Sequence, residues 1–125
     1  MKTLLTVEES QRLIDLGVDP KMASYTDVVA DESGNHYVEK LIFSLTDLLS
    51  ILPKEINHQC LTIISTDKLY FAQYGNWERE YIHSWEQTFI PNDDCGKNSA
   101  PELIDALYPL LVWCLEHKII KLNKD

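Results

Sequence analysis

The stretch from Ser99 to His117, SAPELIDALYPLLVWCLEH, does most to limit what this chain can fold into. Leu103, Leu107, Leu110 and Cys114 fall on one helical stripe, with Ile104, Leu111 and Leu115 at its flanks. Ala106, Tyr108, Val112 and Trp113 widen that apolar surface beyond what one sheet face needs. A helix of this kind has to be covered on most sides, by its own chain or by another molecule. Ser99-Ala100-Pro101-Glu102 matches a capping box with proline tolerated in the first turn, so the helix is expected to start at Ser99 and end near His117. Pro109 removes one backbone bond from it and predicts a kink or a split.

The elements that would cover this helix are legible from their punctuation. Thr6-Val7-Glu8-Glu9 is a second capping box, and Leu13, Ile14 and Leu16 followed by Gly17 place a helix from about Val7 to Leu16. Another helical turn is expected at Pro20 to Ser24. Tyr25 to Ala30 and His36 to Phe43 are rich in β-branched and aromatic residues, and Gly34-Asn35 between them supplies hairpin turn chemistry. Ser44-Leu45-Thr46-Asp47 caps a short helix that Pro53 ends. Strands are expected at Cys60 to Thr66, Leu69 to Tyr74 and about Glu80 to Ile90, with a turn at Gly75-Asn76. The order α-ββ-α-βββ-α describes one α+β domain over residues 1–125. Its antiparallel sheet, a hairpin plus a three-stranded meander, packs with two or three helices, including the long C-terminal one.

Size and charge narrow the function classes. A chain of 125 residues with 45% hydrophobic and 25% charged side chains buries a core without staples. Twenty acidic against eleven basic residues give a formal charge of -9, which opposes direct binding to nucleic-acid phosphates. The acids never exceed two in a row, as in Glu8-Glu9, Asp31-Glu32 and Asp93-Asp94, and read as a solvated surface. The N-terminus turns acidic too early for a signal peptide, and no apolar run reaches bilayer length. Cys60, Cys95 and Cys114, odd in number and far apart, do not form a disulfide framework, so a reducing cytoplasm is the expected location.

The chemical motifs are fragments. PNDDCGKNS, Pro91 to Ser99, has the strand-then-helix setting of a phosphate loop. Pro91 replaces its first glycine, however, Asn98 replaces its hydroxyl, and Asp93 and Asp94 repel phosphate. It lacks the ligand spacing of a calcium loop, and the two carboxylates beside Cys95 disfavour a reactive thiolate. His58 and Cys60 with Cys114 and His117 would make a Cys2His2 set for zinc, at a spacing that matches no known finger. Cys114 on the apolar stripe reads instead as a small core residue. His83 between Tyr81 and Trp85, with Tyr70, Tyr74 and Trp77 nearby in sequence, is either an aromatic groove or ordinary sheet packing. No catalytic residues, cofactor or metal are expected, and the chain is read as not an enzyme.

Three stretches, LLTVEESQRLIDLGVDPKMAS (Leu4 to Ser24), FSLTDLLSILPKEI (Phe43 to Ile56) and SAPELIDALYPLLVWCLEHKII (Ser99 to Ile120), resemble small uncharacterised proteins of Bacteroides-type gut bacteria, often associated with prophages or other mobile elements. The resemblance implies a cytoplasmic accessory protein and carries no activity or site residues. The expected function is protein–protein interaction, with Leu107, Tyr108, Leu111, Val112 and Trp113 as the contact and a homodimer as one outcome. A small-ligand or metal-binding domain is the alternative, and an acidic inhibitor that mimics nucleic acid is a third reading.

Overall fold

Thr6 opens the first helix through reciprocal bonds. Its hydroxyl accepts from the Glu9 amide (3.1 Å) and the Glu9 carboxylate accepts from the Thr6 amide (3.0 Å), which starts α1, Val7–Asp15. Gly17, at φ 109°, closes it: the Gly17 amide donates to the Ile14 carbonyl and the Val18 amide to the Leu13 carbonyl, with Leu13 and Val18 both in the core. A 3₁₀ turn at Pro20–Met22 follows, capped by Asp19. The computed structural model describes residues 1–56, 59–79, 87–91 and 98–120.

β1 (Tyr25–Ala30) and β2 (Tyr37–Ile42) form the expected hairpin as a sheet of their own. Ser44 and Asp47 complete a second reciprocal box at the start of α2, Leu45–Ile51. The other sheet comprises β3 (Glu55–Ile56), β4 (Gln59–Ser65), β5 (Tyr70–Arg79), β6 (Gln87–Pro91) and β7 (Asn98–Ala100), and α3 runs Leu103–Glu116. Among the described residues the architecture is α+β, with antiparallel sheets and a C-terminal helix.

β5 organises the larger sheet. One edge takes β4, in register Cys60↔Gly75 to Ser65↔Tyr70. The opposite edge is shared end to end, β7 pairing with Tyr70–Ala72 and β6 with Gly75–Arg79. Two expectations fail for this reason. Gly75-Asn76 does not turn, because β6 carries the ladder on to Arg79. Ser99 does not cap a helix, because residues 98–100 are spent on pairing with β5. The helix starts three residues later at Glu102, which makes no side-chain cap bond. Pro109 does not split α3 either, which runs unbroken through it. Of the expected strand Glu80 to Ile90, the part from Gln87 is seen as β6, and residues 80–86 lie outside the described residues.

α3 packs against β5, β7 and α2 at once, which accounts for an apolar surface wider than one sheet face needs. Ile104, Leu107, Leu110 and Leu111 are fully buried there, each contributing about 1.5–3 kcal/mol by leaving water. Tyr74 crosses the core and donates its hydroxyl to the Pro53 carbonyl (2.6 Å), joining β5 to the end of α2. The N-terminal segment is laced to the residues after β2: the Leu5 amide donates to the Phe43 carbonyl and the Leu45 amide to the Thr3 carbonyl. The fully buried Ser10 hydroxyl of α1 accepts from the Phe43 amide (3.1 Å).

Candidate functional site

α3 divides the five expected contact residues into two groups. Leu107 and Leu111 are 0% exposed and belong to the core, so they offer no surface to a partner. This corrects their assignment to an interface. Tyr108, Val112 and Trp113 pack on the core with one side and remain half-buried. Their spacing, with Pro109, Glu116 and His117, places them on one helical face over the last two turns.

α1 supplies the other wall. Arg12, in its last turn, reaches Glu116 in the last turn of α3 with Nη2 to Oε1 at 3.1 Å. Trp113 and His117, one turn apart, stack with ring centroids 4.3 Å apart and an interplanar angle of 23°. His117 Nδ1 lies 2.9 Å from the Trp113 carbonyl. A carbonyl oxygen only accepts, so this contact assigns the proton to Nδ1 and leaves Nε2 as the ring's acceptor when neutral. These residues, with Asn98 of β7, line a concavity of about 380 Å³.

Burial pushes the Tyr108 phenol above its ordinary value; the Glu9 carboxylate adds to that shift and Arg12 opposes it. Tyr108 therefore stays neutral at physiological pH and presents a ring with a hydroxyl. The concavity offers aromatic and aliphatic contact beside one ion pair, joined by a single bond and exposed on both sides. Sequence reading missed Arg12, Glu116 and Asn98. Arg12 and Glu116 are 104 residues apart and nothing local marks them as partners.

The other candidates are dispersed. Cys114 is buried in α3 while Cys60 is exposed on β4, His117 is stacked on Trp113, and His58 lies outside the described residues. Among the described residues no group of three or more His, Cys, Asp or Glu is placed to hold a metal ion. Tyr74 is a core residue bonded to Pro53, whereas Tyr81, His83 and Trp85 fall outside the described residues, as does the 92–97 part of PNDDCGKNS with Cys95. Among the described residues no helix is long and apolar enough to cross a membrane. Comparison with protein-family models, with curated proteins and with solved structures gives no match.

Proposed function

We propose that this chain acts by binding another protein, without catalysis, and that the concavity between α1 and α3 is the contact. The observation that carries this reading is the Trp113–His117 stack set with Tyr108 and Val112 beside the Arg12–Glu116 pair. Aromatic residues and arginine gathered at a concavity are the composition in which protein contacts concentrate their binding energy. A volume of about 380 Å³ is at the small end of ligand cavities, about 300–1,000 Å³, and suits an inserted side chain. The lining is mostly aromatic and aliphatic, and its one ion pair already engages each partner through a single bond, which favours an inserted protein side chain over a polar metabolite; small-ligand binding is the second reading. Under the proposal the chain is a cytoplasmic accessory protein of a prophage or mobile element, the setting its resemblance implies.

Selection of a short randomised peptide library on the purified protein, followed by NMR mapping of the binders, tests this. The expected result is that bound peptides shift the resonances of Val112, Trp113 and His117, and that Val112→Arg removes binding while the protein remains folded at the assay temperature. Binders that map to other elements, or none at all, reject the concavity as the contact.

A further inference from the structure

The hairpin gives little to the core. Val28 is 57% exposed and Tyr37 76%, and Tyr25 and Val38 are exposed as well. Its sheet has only two strands, an arrangement of marginal stability in water until a third strand or a helix supports it. The register shows which backbone groups are open. The Asp31 amide donates to the His36 carbonyl (2.8 Å), one step beyond the Ala30↔Tyr37 pair. Antiparallel ladders alternate, so Tyr25, Asp27 and Val29 turn their backbone groups toward β2, while Thr26, Val28 and Ala30 turn theirs to the outer edge. β2 confirms the parity: Phe43, on its outward set, bonds away from β1 to Leu5 and Ser10. Among the described residues no strand pairs with the outer edge of β1.

The central outward donor is nevertheless occupied. The Val28 amide donates to Oδ1 of Asp27 at 2.9 Å, a side chain folding over its own strand edge. Edge strands are commonly protected from pairing by such charges.

We propose that the outer edge of β1 is a strand-pairing surface for a second copy of this chain, in antiparallel register centred on Val28, and that the Asp27 carboxylate holds it closed in the monomer. The two-fold register follows from charge. Centred on Val28, the outward groups of Thr26 meet those of Ala30 in the second copy, the two Val28 side chains pair, and Asp27 faces Val29 of the second copy. Shifting the centre to Asp27 sets the two Asp27 carboxylates opposite each other, and shifting it to Val29 sets Asp27 opposite Asp31 of the second copy. Like charges directly opposed destabilise strand pairs, which favours the Val28 register over those two, and it pairs Thr26 to Ala30 where a centre at Thr26 would pair only Tyr25 to Asp27. Pairing requires each Asp27 to release its Val28 amide, which makes the wild-type association weak and dependent on that side chain. Two two-stranded hairpins would become one four-stranded sheet. These residues are separate from the α1–α3 concavity, and the inference does not depend on the proposed function.

Sedimentation velocity over a concentration series, with backbone hydrogen exchange on the same samples, decides the matter. Asp27→Ala is expected to lower the concentration at half-dimer by about ten-fold or more, since two competing hydrogen bonds are removed per dimer. Thr26, Val28 and Ala30 amides should gain protection in that dimer. Adding Val28→Pro, which removes an amide that the hairpin does not use, should return the protein to monomer. The proposal is overturned if Asp27→Ala remains as monomeric as wild type, or if it dimerises while these three amides exchange freely.

Discussion

The Asp47 carboxylate holds Ser24 from 23 residues away, accepting from both its amide (3.0 Å) and its hydroxyl (2.5 Å). The same carboxylate accepts from the Ser44 amide (2.9 Å), while the Asp47 amide donates to the Ser44 hydroxyl. One buried side chain thus starts α2 and pins the entry to β1. Asp47→Ala leaves two backbone amides without their acceptor and should cost about 1–3 kcal/mol in urea unfolding.

The same group sets a pH dependence. Burial pushes the Asp47 carboxyl up, but the bonds from Ser24 and Ser44 outweigh it and hold the group below its ordinary 3.8. A carboxyl with a depressed folded value binds fewer protons when folded, so its stabilisation is present above pH 3.8 and is lost as pH falls through the folded value. Asp31 titrates in the same direction, because the Ser33 hydroxyl donates to it. The stability difference between wild type and Asp47→Asn is therefore expected to be constant from about pH 5 to 8 and to shrink below about pH 4. A difference that grows in acid would contradict the sign.

Two helices end with the same backbone arrangement but different residues. After α1 the left-handed position is Gly17; after α3 it is Lys118 at φ 56°, with its amide donating to the Leu115 carbonyl and the Ile119 amide to the Cys114 carbonyl. A side chain there costs about 1–2 kcal/mol. Lys118→Gly should raise the thermal midpoint by a few degrees, and Gly17→Ala should lower it by a similar amount.

What could be read from the sequence was local. The boxes at Thr6 and Ser44 satisfy donors within four residues, so their residue types suffice, and Gly34 marks its turn because φ 74° favours glycine. Ser99 failed because its local pattern competed with a distant one: Phe71 claims it for β7. Gly75 failed likewise, through Pro91 of β6. The proposed contact face was half legible. α3 is apolar almost all round, so its periodicity does not say that Leu107 and Leu111 turn inward and Trp113 only partly, and the α2 and β7 packing that decides it comes from elsewhere in the chain. Arg12 could be placed in the concavity only by the fold.

The Arg12–Glu116 pair is exposed on both sides and should be worth little to stability. A double-mutant cycle with Arg12→Ala and Glu116→Ala is expected to give a coupling of about 0.2–1 kcal/mol that fades in high salt. Its larger effect should be on the concavity, since removing Arg12 leaves the Glu116 carboxylate without its cation beside Trp113.

Neighbouring positions on α3 should separate folding from binding. Leu111 is fully buried, so Leu111→Ala loses its transfer energy and leaves a cavity, about 2–5 kcal/mol, which for a chain of this size lowers the thermal midpoint by roughly 8–20 °C. Val112, one residue on, is half-buried at the concavity, and Val112→Ala should cost under about 1.5 kcal/mol. Peptide binding should respond in the reverse order, with folded Leu111→Ala retaining affinity at low temperature and Val112→Ala losing it. If both variants lose stability equally and binding equally, α3 acts as one packed unit, and the concavity has no role apart from the core.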